Sequence, residues 1–312
     1  MIKKEIFLID PINKNDQHLI YNSSILEILE ELGYRVKLKV DDSSKEFYQN
    51  YLTDSKKKSL QASESRHTAG KRIYLAASWS IIFNEFFRKR KSIIIYHNFF
   101  SFVERKTVPQ KIKYALFKLH LFWNKKSINA VLKPVIIDSL QSSGLTSKNF
   151  IYLPIWYSRN LIDTHYKNVK IPIIESDIII LGNLHKDKVN KKVTEGIECQ
   201  HFGKIHDKEN YPFSSINRYL NLPQYYSILR EKNKVLLPYS KSYKLIASGV
   251  LADCIAFGKT VIVPKNVYKF LIPEKISVNQ KPISKSLIEI SFDESSNDLL
   301  KKELRKNLRK IL

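Results

Sequence analysis

The sequence predicts an α/β chain of two doubly wound domains, on three observations. Short apolar runs that suit buried parallel strands alternate with stretches of helical period along both halves. Pro154 to Ser176 lacks periodicity and holds a second proline, Pro172, so it divides the chain. The 312 residues are enough for two domains of ordinary size, and 43% hydrophobic and 12% aromatic residues provide real cores.

Taken in order, Ile6–Asp10 is the first strand. Leu19 to Leu32 places Leu19, Ile20, Ile25, Leu26, Ile28, Leu29 and Leu32 at helical spacing, and Gly33 closes the helix. Tyr34–Val40 alternates as a strand does. Asp41 and Asp42 would point to opposite faces of a strand, so they read as a helix cap and not as a metal pair. Thr53 to Gly70, rich in Ser and Lys, reads as a mobile loop. Ile73–Phe87 reads as a core helix whose first residues also suit a strand. Ser92–Tyr96 is a buried strand, Lys111–Lys126 a helix, Ala130–Leu132 a strand, Ile136–Gln141 a helical stub and Phe150–Leu153 a strand.

The second half opens with a strand at Asp177–Leu181 that ends in Gly182-Asn183. A helix is expected over Val189–Ile197, then a strand through His201–Phe202 ended by Gly203-Lys204. Asn221–Arg230 reads as a turn and helix, and Leu299–Leu312 as a basic amphipathic helix. The domain bounds are 1–155, a linker over 156–175, a second domain over 176–295 and a terminal helix over 296–312.

The richest stretch runs from Lys234 to Pro264. Val235 to Pro238 is a short buried strand, and Tyr239 to Lys244 a polar, basic loop. Ser248 is a good N-cap with Gly249 behind it, and Val250, Leu251, Ile255 and Ala256 recur at helical spacing. Gly258 stands where a C′ glycine stands, and Val261–Val263 is a second strand. A helix that starts on small residues at the carboxyl edge of a parallel sheet suits a phosphate. Free N–H groups and the helix dipole both favour an anion there. Gly258-Lys259-Thr260 is like the tail of a P-loop, but Asp253 occupies the place of the required earlier glycine. No Gly-x-Gly-x-x-Gly follows a strand.

This stretch resembles the nucleotide-sugar site of GT-B glycosyltransferases, the family 4-like or group 1-like enzymes. Their Glu-Ala-x-Ala-x-Gly-x-Pro-Val-Ile run is matched by Asp253-Cys254-Ile255-Ala256-Phe257-Gly258-Lys259-Thr260-Val261-Ile262. A Leu-Pro-x-x-Tyr helix before the Leu-Leu-Pro strand is also similar to the family. The resemblance implies two Rossmann-like domains facing a cleft, the second binding donor, with the terminal helix crossing back to the first. It puts Asp253 on the donor ribose. The family's other glutamate, eight residues earlier, falls at Leu245, so retaining chemistry of the two-glutamate kind is not implied.

Candidate donor contacts are Ser248, Gly249 and Asp253, the loop residues Ser240, Lys241, Tyr243 and Lys244, and the strand-end pairs Gly182-Asn183 and Gly203-Lys204. Candidates for a catalytic base are Asp10 after the first strand, His97 after Ser92–Tyr96, and Glu104. Without an Asp-x-Asp, no metal is expected, and the nucleotide sugar is a co-substrate, so no cofactor is expected. Cys199 and Cys254, far apart and in apolar contexts, read as buried free thiols of a reducing cytosol.

The net charge is +23. Between Lys56 and Lys133 there are 18 Lys and Arg against Glu64, Glu85 and Glu104. Lys111, Lys113, Lys118, Lys125 and Lys126 lie among Phe117, Phe122 and Trp123, a mixture suited to an anionic membrane surface. The longest apolar stretch, Ile73 to Phe87, is shorter than the roughly 20 residues a spanning helix needs, so no transmembrane segment is expected. The expected activity is glycosyl transfer to a saccharide acceptor linked to polyprenyl diphosphate, in bacterial surface polysaccharide or lipopolysaccharide assembly, at the inner face of the membrane. A CDP-linked polyol-phosphate transferase of the same fold is one alternative. A nucleic-acid-binding protein is the other, but helix-turn-helix, zinc-knuckle and RNP patterns are missing, so nucleic acid is not an expected partner.

Overall fold

A computed structural model of the chain describes residues 4–10, 19–40, 42–52, 54–61, 71–86, 91–145, 150–165, 169–185, 189–206, 211–217, 220–273, 276 and 278–312. They form two compact units, Met1–Pro154 with Glu303–Leu312, and Ile155–Lys302.

The first unit contains β1 (Glu5–Ile9), α1 (Leu19–Glu31), β2 (Arg35–Lys39), α2 (Asp42–Tyr51), α3 (Asp54–Lys57), β3 (Leu60–Gln61), β4 (Lys71–Tyr74), α4 (Trp79–Phe86), β5 (Ser92–Tyr96), α5 (Val108–Trp123), β6 (Ile128–Val131), α6 (Pro134–Ser142) and β7 (Phe150–Tyr152). Its sheet runs β3-β2-β1-β4-β5-β6-β7, with every pair parallel. Ile93, Ile94 and Ile95 are all buried, because a central parallel strand is covered on both faces. Gly33 closes α1 at φ +85°, and Tyr34 N–H reaches back to Leu29 O at 3.1 Å, which a left-handed glycine permits.

The second unit contains α7 (Arg159–His165), β8 (Ile178–Leu181), β9 (Gln200–Gly203), β10 (Ser214–Asn217), α8 (Leu222–Glu231), β11 (Lys234–Leu236), α9 (Gly249–Ala256), β12 (Thr260–Pro264), α10 (Lys265–Leu271), β13 (Asn279–Pro282) and β14 (Leu287–Ser291). The last helix, α11, spans Glu294–Ile311. Its final turns belong to the first unit, where Asn307 Nδ2 donates to Tyr152 O at 2.9 Å. The second sheet runs β10-β9-β8-β11-β12-β14-β13, parallel except that β14 runs against both β12 and β13. In both units the strand order reverses beside the first strand, between β1 and β4 and between β8 and β11. Such a reversal opens a crevice at the carboxyl ends of the strands, where ligands bind in doubly wound sheets.

Several elements differ from the sequence reading. No helix forms over Val189–Ile197. Val189 bridges Tyr239, Asn190 N–H donates to Pro238 O at 2.8 Å, and only Lys191–Val193 makes a short 3₁₀ turn. Val189, Val193 and Ile197 still reach the core, by an irregular path that happens to share helical spacing. Ile73–Phe87 divides into β4 and α4 around a bend. The connection after Pro154 contains α7, whose adjacent Leu161 and Ile162 bury without a periodic stripe. The expected mobile loop contains α3 and β3, and residues 53 and 62–70 of it lie outside the described residues, as does Asp41. Among the described residues, no helix is long and apolar enough to cross a membrane.

Candidate functional site

The carboxyl edge of the second sheet is where the candidate residues gather. β8 ends at Leu181, and Gly182 follows with φ +92°, a left-handed turn that a side chain would strain. β9 ends at Gly203, where a β-carbon would stand 2.2 Å from Gly182 O. Two backbones therefore touch at the carboxyl ends of β8 and β9, and only glycine allows it. His201, fully buried, fixes the same carbonyl. Its Nε2 donates to Gly182 O at 2.8 Å, so its Nδ1 accepts from the Ser215 hydroxyl at 2.8 Å. Burial holds its pKa below the usual value, so the ring is a neutral, fixed tautomer. Asn183 Oδ1 accepts from Lys204 N–H at 3.3 Å, while Lys204 itself is exposed.

The loop after β11 leads into α9. Ser240 caps a 3₁₀ turn, Lys241–Leu245, on which Lys241 and Lys244 are exposed. Tyr243 stacks on Tyr239, with centroids 3.6 Å apart and planes 8° from parallel. Tyr239 and Ser248 share a hydroxyl hydrogen bond of 2.6 Å, and Ser248 Oγ accepts Leu251 N–H at 3.1 Å, as an N-cap does. Ala252 N–H goes to Ser248 O at 3.2 Å, which leaves the Gly249 and Val250 amides as the donors of the first turn. This helix start lies beside the glycines: a β-carbon on Gly182 would sit 3.4 Å from Val250 Cγ2. Gly249 is exposed and lacks a left-handed backbone. A β-carbon there would meet Tyr157 Oη at 3.4 Å, an ordinary contact. The edge thus joins close-approach glycines, a helix N-terminus and two exposed lysines, which is the equipment for an anion.

Asp253 is placed otherwise. It is 5% exposed, and its two oxygens accept the hydroxyls of Tyr225 and Tyr226, each at 2.8 Å. Burial pushes its carboxyl up to about 7, although the two hydroxyl donors pull the other way. Tyr225, Tyr226 and His201 went unrecognised in the sequence. The adjacent tyrosines carry a signal, one helical pair before a buried acid, but nothing local links them to Asp253, 28 and 27 residues away.

In the first unit, Asp10 and His97 share the carboxyl edge of the sheet. Asp10 is buried and accepts Asn22 Nδ2 at 2.5 Å. His97 follows β5, its Nε2 donates to Leu75 O at 2.8 Å, and Tyr21 meets its ring edge-on at 5.1 Å. Glu104 lies apart, on the surface, paired with Lys106 Nζ at 2.6 Å. Both cysteines are free and buried. Among the described residues, no three His, Cys, Asp or Glu side chains group as metal ligands.

No protein-family model matches the chain, and no curated protein matches it. Solved structures do. One is of a protein assigned as a UDP-N-acetylglucosamine 2-epimerase from Listeria monocytogenes, with TM-score 0.51, 10% identity, and coverage of 98% of this chain and 88% of that one. Another is phage T4 BGT in complex with its UDP-glucose substrate, with TM-score 0.49, 13% identity, and coverage of 98% and 94%. A third is UDP-GlcNAc 2-epimerase from Methanocaldococcus jannaschii, with TM-score 0.47, 11% identity, and coverage of 98% and 92%. Identity this low speaks for fold and not for chemistry. The fold is GT-B, two doubly wound domains in one chain.

Proposed function

We propose that the chain is a glycosyltransferase that takes a nucleotide sugar in its second unit and delivers the sugar to a saccharide acceptor. The observation that carries this is the carboxyl edge of the second sheet. There the Gly182 and Gly203 backbones approach each other, α9 starts beside Gly182, and Lys241 and Lys244 project from the preceding loop. Such an edge would hold the diphosphate and neutralise it as it leaves. Gly249 and Val250 N–H would bind a phosphate oxygen, and the lysines would meet the charge that develops. No resident metal is needed in this reading, since these donors do the work of a cation.

His97 is the preferred base in this reading. Its Nε2 donates to Leu75 O, which fixes the ring at the carboxyl edge of the first sheet. Asp10 is committed to Asn22, and Glu104 to a surface lysine. We further propose that the acceptor is a saccharide on polyprenyl diphosphate, in bacterial surface polysaccharide or lipopolysaccharide assembly at the inner face of the membrane.

The test is a donor screen that reads nucleotide release in the presence of lipid-linked and free saccharide acceptors. Release that depends on acceptor, with the sugar found on it by mass spectrometry, supports the proposal. Conversion of a UDP-sugar without acceptor would replace it with epimerase chemistry. CMP release from a CDP-linked polyol would replace it with polyol-phosphate transfer.

A further inference from the structure

In the first unit, α5 buries one face and turns an apolar face outward. Phe117 packs among Tyr96, Phe100 and Phe102 at centroid distances of 5.5–5.7 Å, and His120 is buried beside it. The opposite face carries Val108, Ile112, Leu116, Leu119, Phe122 and Trp123. At about 100° per residue these six fall within an arc of about 120°. Val108 is 68% exposed, Phe122 65% and Trp123 56%. A surface helix ordinarily shows the reverse, with its apolar stripe inward and polar residues outside.

The helix is also held firmly. Thr107 and Gln110 form a capping box, Gln110 Nε2 donates to Ser101 O at 3.3 Å, and Arg105 lies 4.6 Å over the Tyr114 ring. Lys111 and Lys118 flank the stripe on one side, Lys113 on the other, and Lys125 and Lys126 follow its end, all exposed. No acid lies between Val108 and Lys126. Lys125 Nζ sits 5.6 Å from the centre of the Phe122 ring.

We propose that this face of α5 docks on an anionic bilayer, with the apolar stripe in the headgroup–acyl boundary and the lysines on lipid phosphates. The charge selects this occupant. A second copy of the chain, itself at +23, would set the same lysines against these, whereas anionic lipid complements both stripe and rim. Trp123 would sit at the interface depth that indole favours. The inference stands apart from the donor site and needs none of its residues.

The experiment is sedimentation of the full chain with vesicles of phosphatidylcholine alone or with one-quarter phosphatidylglycerol, at low and high salt. The variants are Phe122→Ser with Trp123→Ser, and Lys111→Ala with Lys118→Ala. Both change exposed side chains, and circular dichroism with sedimentation velocity checks their fold and mass. Expected are binding only to the anionic vesicles, loss of binding in the aromatic variant, and about fivefold weakening per lysine. A blue shift of tryptophan emission on binding should vanish in Trp123→Phe. No binding, binding that ignores lipid charge, or equal binding by folded variants would overturn the proposal. So would a lipid-free dimer that the aromatic variant dissociates, which would make the face a homodimer interface.

Discussion

Gly203 stands so close to Gly182 that a β-carbon on it would lie 2.2 Å from the Gly182 carbonyl oxygen, to which His201 Nε2 also donates. The neighbour is backbone, so no side-chain rotation relieves the contact. Gly203→Ala should therefore displace the β8–β9 edge and destabilise the second unit by about 1–3 kcal/mol, the usual cost of overpacking. Thermal unfolding of this variant beside wild type checks it, and an unchanged melting temperature would show that the two strands part easily.

Gly249 behaves differently, because its backbone makes no demand for glycine and a β-carbon meets only Tyr157 Oη at 3.4 Å. Gly249→Ala should keep or slightly raise the melting temperature, as alanine is the better helix former. Gly249→Leu should weaken nucleotide diphosphate binding at least tenfold through bulk over the first-turn amides. Calorimetry on the folded variants separates these effects, and undiminished binding by the leucine variant would move the phosphate elsewhere.

Ser248 serves two partners, Leu251 N–H and the Tyr239 hydroxyl. Ser248→Ala should cost about 1 kcal/mol as a lost cap. Ser248→Asp restores an acceptor for the helix and should recover much of that stability, yet it places a negative charge where a phosphate is proposed and should abolish nucleotide binding. Equal nucleotide affinity in the aspartate variant would count against a phosphate at this helix start.

Asp253 gives a pH signature. Its carboxyl is raised to about 7 in the fold, whereas an unfolded aspartate titrates near 3.9. Between those values the folded chain holds a proton that the unfolded chain has released. The associated stability is fully present below about pH 4 and is lost as pH rises through about 7. Asp253→Asn stays neutral throughout. The melting temperature of wild type minus that of the variant should fall between pH 5 and pH 8, and a flat difference would mean that Asp253 is ionised throughout that range.

Periodicity and punctuation made much of the fold legible. Gly33 and Gly258 end helices as expected, and Ser248 and Asn221 cap them. The parallel strands announced themselves as short apolar runs such as Ile93–Ile95. Illegible segments were those whose shape depends on distant partners. Val189 to Ile197 has helical spacing but is tied to Pro238 and Tyr239, and β14 turns antiparallel because only residues 283–286 join it to β13, a hairpin and not a crossover. The glycines and lysines of the donor edge were nameable one by one. That Gly203 presses on Gly182, and that two tyrosines close over Asp253, follows only from strands and helices brought together.

Binding of a nucleotide-sugar diphosphate on the Gly182–Gly203–Gly249 edge can be measured by calorimetric titration of wild type and Lys244→Ala with UDP, GDP, CDP, TDP and CMP. Saturable binding of at least one nucleoside diphosphate is expected, with a loss in Lys244→Ala of about 1.5–3 kcal/mol, the worth of a charge-assisted contact. No binding of any diphosphate, or binding that Lys244→Ala and Gly249→Leu both leave intact, would contradict it.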